Sequence, residues 1–216
     1  MNLKHQEQQE KLRGGYYTPP EISEFLVLWG MANNPQSILE PSCGDGAFIE
    51  SLDSCCDSLE GVKFHGVELI SSEASKARKK FSKLKEKGCL GTGVTRSEFF
   101  EFISKKKKRT LKNGIDLVIG NPPYIRYQYF EHGRDIAESR LSELGIKTTK
   151  HANAWLHFLA ESVSMMSEKS IGKVYNVCGG IPLKMRKYTE MLLEKSKLEN
   201  VELEIDQKLW NWSPNN

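Results

Sequence analysis

Apolar and polar positions along the chain switch repeatedly between two periods. In "PEISEFLVLWGMA", from Pro20, apolar Ile22, Phe25, Leu26 and Trp29 recur at helical spacing behind Pro20 and Glu21. "SILEPS" is a short apolar run of buried-strand type, followed by the turn "CGDG" and the helical "AFIESLDSCC". A second strand, "VKFHGVEL", leads into "SSEASKARKKFSKLKEK", a helix expected to open on a Ser cap. "GTGVTRSEF" reads as a third strand and "IDLVIGNPP" as a fourth. "AWLHFLAESVSMMS" reads as a long amphipathic helix, "GKVYNVCGG" as a fifth strand, "PLKMRKYTEMLLEKS" as a helix and "VELEIDQKLW" as a last strand.

Strands alternating with helices predict a parallel, doubly wound α/β sheet of Rossmann-like type. Ligands of such sheets sit at the carboxyl ends of the strands. "EPSCGDG", "EL" and "NPPY" end the first, second and fourth strands, so they are expected on one edge. Residues 126 to 150 interrupt the pattern as an inserted loop with a short helix near 136–144, read either as a lid or substrate loop or as a surface connection.

Length and composition narrow this picture. At 216 residues and 38% apolar content, one α/β domain is expected over 14–216, behind a polar lead-in over 1–13. The net charge of +3 permits a polyanionic partner without requiring one. "KKKKR" at 105–109 reads first as a solvated loop and second as a phosphate contact. Five cysteines (Cys43, Cys55, Cys56, Cys89 and Cys178) are odd in number and lack His at ligand spacing, so free thiols and no metal are expected. The polar start has no secretory h-region, and no apolar run approaches about 20 residues. A cytoplasmic protein without a membrane partner is the expectation.

"NPPY" carries the most specific chemistry. The Asn121 side-chain carbonyl and the Pro122 peptide carbonyl are both acceptors, and Pro123 restricts how the second one points. Two converging acceptors suit an amino group with two hydrogens, such as the exocyclic amine of adenine. That amine is a poor nucleophile because its lone pair is delocalised into the ring; accepting both hydrogens would favour a tetrahedral nitrogen. Tyr124 offers a face on which a base can stack. A base inside a duplex reaches such a pocket only by flipping out.

"LEPSCGDGAF", from Leu39 to Phe48, lacks the G-x-G-x-x-G dinucleotide pattern. Gly44 and Gly46 let backbone approach a ligand closely, and the following helix start offers N–H groups to a carboxylate. Glu40 and Asp45 suit a cationic amine and a sulfonium, while Glu68 ends the second strand where a ribose-binding acid is expected.

These motifs resemble the gamma-type N6-adenine DNA methyltransferases of restriction–modification systems, from about Gly14 to at least Lys195. "GGYYTPPEI" looks like the family's motif X, "LEPSCGDGAF" like motif I, "GVEL" like motif II, "SEFFEF" like motif III and "NPPYIRYQ" like motif IV. The resemblance implies the sheet of the class I S-adenosylmethionine-dependent methyltransferases. It implies cofactor contacts from Tyr17, Thr18, Pro19, Glu40, Pro41, Ser42, Cys43, Gly44, Asp45, Gly46 and Phe48, with Glu68 on the ribose. Glu98-Phe99 stands where the family has Asp-Phe, the acid taking the cofactor's adenine amine. Asn121, Pro122, Pro123 and Tyr124 would hold the target adenine in double-stranded DNA. Cys43 reads as a packed small residue, and Tyr127, Tyr129 and Phe130 as packing or DNA contacts alike.

The chain departs from the family at "CGGIPLKM" and at its end, "KLWNWSPNN". Members of this type continue into an aromatic motif VIII and a target recognition domain, for which this sequence has no room. The expectation is a catalytic domain whose sheet is complete or one strand short, with a separate target-recognition subunit or a cognate endonuclease as the further partner. Two other readings stay open. One is methylation of another planar amine or amide, in a release-factor glutamine or an RNA guanine-N2; the other is an inactive truncated fragment or subunit.

Overall fold

The structure is a computed structural model, and it describes residues 17–106, 114–125, 129–130, 133–143, 145–146 and 153–167. Four parallel strands, β1 (Ser37–Glu40), β2 (Lys63–Glu68), β3 (Leu90–Arg96) and β4 (Leu117–Val118), form a sheet in the order β3-β2-β1-β4. Six helices accompany them: α1 (Pro20–Met31), α2 (Ala47–Cys55), α3 (Ser71–Glu86), α4 (Phe99–Lys106), α5 (Arg134–Glu143) and α6 (Ala154–Met165).

The period-2 alternation of strand side chains divides the core into two layers. Ile38 and Phe64 point to one face, where they pack with Val27 of α1, Phe48 and Leu52 of α2, and Ala77, Phe81 and Leu84 of α3. Leu39 and Val67 point to the other face, against Phe99, Phe100 and Ile103 of α4, Ala137 of α5, and Ala154 and Phe158 of α6. Helices therefore cover both faces, and Ile38 to Glu40 of β1 and Phe64 to Glu68 of β2 are buried throughout. The chain runs outward from β1 to β3 and returns to β4 on the other side of β1. The order reverses between β1 and β4, which is where a doubly wound sheet opens a crevice.

Three expectations differ from the structure. Ser71 does not cap α3: Ile70 occupies the N-cap position without a side-chain cap bond, and its N–H donates to Glu68 Oε1 at 2.7 Å. The third strand stops at Arg96, and the apolar "FFEFI" turns into α4, with Lys105 on that helix paired to Glu101 at 2.8 Å. Phe99, Phe100, Phe102 and Ile103 follow helical spacing and are all buried, so the basic run begins on a helix rather than in a loop. The third difference is α6, which is buried nearly all round, its Glu161, Ser162 and His157 included, rather than amphipathic. The helix expected near 136–144 is present as α5. The later strand and helix readings, from "GKVYNVCGG" onward, and the 1–13 lead-in lie outside the described residues.

Candidate functional site

Three strand ends meet at the crevice. After β1, Cys43 N–H donates to Val67 O at 2.9 Å and Gly44 N–H to Glu68 Oε2 at 2.8 Å, which ties the "PSCGDG" turn to the end of β2. On the other side, Ile119 N–H donates to Leu39 O at 3.0 Å. Ser42 Oγ donates to the Asn121 backbone carbonyl at 3.5 Å, bringing "NPPY" against the turn. Beyond Tyr124, Ile125 O accepts from Ala154 N–H at 2.9 Å, so the tetrapeptide is anchored at both ends. The gathering of these turns on one sheet edge, expected from the alternation, is what the structure shows.

The turn itself depends on Gly46. It caps α2 at φ 91°, a conformation that side-chain-bearing residues rarely adopt, and a Cβ there would lie 3.1 Å from Ala77 Cα. The loop thus sits directly on α3, and α2 begins with no side-chain cap on its first N–H groups.

The cleft between these elements has a volume of about 270 Å3 and is lined by Tyr17, Thr18, Glu40, Ser42, Cys43, Gly44, Asp45, Ala47, Phe48 and Asn121. Eight of the predicted cofactor residues are among them (Tyr17, Thr18, Glu40, Ser42, Cys43, Gly44, Asp45 and Phe48), with Asn121 beside them. Glu40 is 1% exposed, and its Oε2 has no hydrogen-bond partner. Burial pushes its carboxyl well above the usual range, the neighbouring Glu68 and Asp45 add to this, and Lys80 opposes it. A buried acid left without a donor is costly unless a ligand completes it. Asp45 is held from the other side by Lys80 Nζ at 3.3 Å, and Tyr17 Oη donates to Glu73 Oε2 at 3.0 Å.

Other predicted residues reach the same edge but serve the frame. Glu68 spends both oxygens on Gly44 and Ile70 N–H groups, and burial raises its pKa. Pro19 precedes α1 as its N-cap residue and Pro41 is buried. Glu98 stands before α4, where its Oε2 accepts from Glu101 N–H at 2.8 Å. Burial pushes its pKa up to about 7, against the backbone N–H groups of Glu101, Phe100 and Phe99. Gly133, φ 73°, lies against that carboxylate: a Cβ there would fall 2.4 Å from Glu98 Cδ. Phe99 is core, stacked on Phe158 at 5.1 Å. Glu98 and Phe99 are not among the residues that line this cleft; they stand at the start of α4 and in a ring stack. Cys43 is the packed residue expected, its thiol pKa raised by burial, and Phe130 is also core, against His157 and Phe100. Pro122, Pro123 and Tyr124 are half-buried next to the cleft wall, Tyr129 is exposed, and Arg126 and Tyr127 lie outside the described residues.

Sequence reasoning missed two features of this edge. Lys80 reaches Asp45 and Glu50 from the middle of α3, with nothing but a position in a Lys-rich helix to mark it. Leu69 and Ile70 are exposed apolar residues directly after Glu68, and an apolar pair at a strand's carboxyl end is a readable signal. Cys43, Cys55, Cys56 and Cys89 are free thiols, and Cys178 lies outside the described residues. Among the described residues no helix is long and apolar enough to cross a membrane.

The chain resembles the type I restriction-modification system methyltransferase subunit from Streptococcus thermophilus, with a TM-score of 0.53 at 16% identity over 74% of this chain and 36% of that one. It also resembles the O-methyltransferase from Bacillus cereus, solved in complex with SAH, with a TM-score of 0.50 at 11% identity over 88% and 76%. The fold is that of the class I methyltransferases, whose cofactor is S-adenosylmethionine. The residues present fit that group: an unpartnered buried acid and Asp45 suit its cationic centres, and the uncapped start of α2 suits its carboxylate. Among curated proteins, modification methylase CviBIII of Paramecium bursaria Chlorella virus NC1A is 27% identical over 59% of this chain and 30% of its own length. Type II methyltransferase M.HincII of Haemophilus influenzae is 27% identical over 66% of this chain and 21% of its own. The chain thus spans between about a fifth and a third of these relatives. The model of the N-6 DNA methylase family matches residues 3–176, which takes in both the turn after β1 and "NPPY". With that match over most of its length, on this fold and around this cleft, the chain belongs to the N-6 DNA methylase family.

Proposed function

We propose that the chain is the catalytic domain of a restriction–modification DNA methyltransferase that modifies the N6 amine of an adenine flipped out of double-stranded DNA. The observation that carries this reading is the seating of Asn121 in the wall of the acid-lined cleft, joined to the motif-I turn through Ser42. When bound, S-adenosylmethionine supplies an electrophilic methyl group on a sulfonium.

Glu40, Asp45 and the backbone of Ser42 to Asp45 hold the cationic and carboxylate ends of that group. Tyr17 and Thr18 close the cleft from the segment before α1. The Asn121 side-chain carbonyl and the Pro122 carbonyl accept the two hydrogens of the target amine. This favours a nitrogen lone pair directed at the methyl carbon, without a general base. Tyr124 stacks on the base, a contact worth about 1–3 kcal/mol. The polar lining of the cleft, with Glu40, Ser42, Asp45 and Asn121, suits the charged methionine end of the cofactor. Leu69 and Ile70 offer apolar surface for its adenosine end.

Asn121→Ala should lower methyl transfer by about a hundredfold or more, as loss of one preorganised polar group does at a reacting centre, while the chain stays folded. The check is transfer of labelled methyl to duplex DNA, followed by nucleoside analysis. Label on N6-methyladenine that disappears in the variant supports the reading. Label on guanine or on a protein glutamine, or an Asn121→Ala variant of full activity, overturns it.

A further inference from the structure

The cleft wall concentrates acid. Glu40 is buried and lacks a partner for Oε2, Asp45 stands at its mouth, and Glu68 lies beneath the turn. A cation borders this group from outside. Lys80 of α3 runs its stem past Gly46, where a Cβ would lie 3.3 Å from Lys80 Cδ. Its Nζ reaches Asp45 Oδ2 at 3.3 Å and Glu50 Oε2 of α2 at 2.9 Å. The side chain is 27% exposed, so its charge is only partly screened by water. Lys80 does not line the cleft, and its field acts there through Asp45 and toward Glu40.

Methyl transfer changes the charge of the molecule in the cleft. The C–S bond breaks, the C–N bond forms, sulfur keeps the electron pair as a neutral thioether and the amine gives up a proton. Cofactor and product therefore differ by one positive charge and one methyl group. We propose that Lys80, seated between Asp45 and Glu50, sets how strongly the cleft prefers the cationic cofactor over its neutral product. A positioning residue of this kind keeps the acid cluster from holding the sulfonium too tightly, and it limits how readily product is displaced by fresh cofactor. The inference rests on the assignment of the cleft to S-adenosylmethionine and is independent of the adenine-N6 reading.

The test is isothermal titration of the full chain with S-adenosylmethionine and with S-adenosylhomocysteine. Lys80→Met should raise the preference for the cationic ligand by about three- to tenfold, the scale of one partly solvated unit charge removed nearby. Lys80→Arg should leave the preference unchanged. Glu50→Gln, at a position 67% exposed, should shift it the opposite way by leaving the Lys80 charge less neutralised. That second variant does not depend on Lys80→Met folding. Equal loss of both affinities in Lys80→Met, or an unchanged ratio in Glu50→Gln, would overturn the proposal. Failure of the unmodified chain to bind either ligand would overturn the assignment of the cleft and this proposal with it.

Discussion

Glu98 shows how surroundings decide what a carboxyl group does. Its side chain is 9% exposed, is set at the start of α4 and has the backbone of Gly133 against it. Burial raises its pKa from an ordinary 4.5 to about 7, even though backbone N–H groups favour the charged form. A raised folded-state pKa means that the fold prefers the protonated acid. The stability this group contributes is full below its ordinary range and is lost as pH rises through about 7. Glu98→Gln stays neutral throughout. Its melting temperature relative to the unmodified chain should therefore climb from pH 5 to pH 8. Parallel melting curves for the two chains across that range would show that the carboxyl is charged in the fold. The same residue was legible in the sequence only as a motif position. Gly133, 35 residues away, is what packs against its carboxyl in the fold.

At the scale of elements, α5 and α6 are joined by a pair that no sequence period reveals. Arg140 donates from Nε and Nη2 to the two oxygens of Glu161 at 3.1 and 3.0 Å, and it also reaches Glu143. Glu161 is 1% exposed on a helix otherwise packed into the aromatic cluster of Phe99, Phe100 and Phe158. Removing one partner of a buried pair leaves a charge with no compensation, at about 3–5 kcal/mol. Arg140→Met should lose most of that stability in urea unfolding. Arg140→Met with Glu161→Met should recover a large part of it. Equal destabilisation by the single and double variants would mean that the helices are held by their apolar contacts alone. The anchoring of Ile125 by Ala154 makes this pair relevant to "NPPY", since a displaced α6 would move the far end of the tetrapeptide.

At the scale of the molecule, the cleft stands at the reversal of strand order, and acidic and small residues of the turn after β1 line it beside Asn121. The orphaned Glu40 oxygen and the acidic turn are a local cost that ligand binding offsets. Saturating S-adenosylmethionine, at about a hundred times its dissociation constant, should stabilise the fold by about 2.7 kcal/mol. In a chain of this size that raises the melting temperature by roughly 5–11 °C. A melting temperature that does not respond to the cofactor, measured on the same preparation used for titration, would mean that the folded chain does not bind it.

The sequence by itself determined the parallel α/β architecture and the cleft. Both are written in short-range signals: the period of apolar residues, the glycines at tight turns, and the order of "YYTPP", "EPSCGDG", "GVEL" and "NPPY". Tertiary structure alone decided what each carboxylate at this edge is bonded to. Glu40, Glu68 and Glu98 are equivalent as letters at strand ends. Glu68 accepts from two N–H groups and Glu98 from the helix start, while Glu40 keeps an oxygen free. It also turned "FFEFI" into a helix, because burial against α6 rewards a continuous apolar stripe over the strand preference of its phenylalanines. Lys80 meets Asp45 across 35 residues of sequence, and such pairings arise from packing one element on another, which no local pattern encodes.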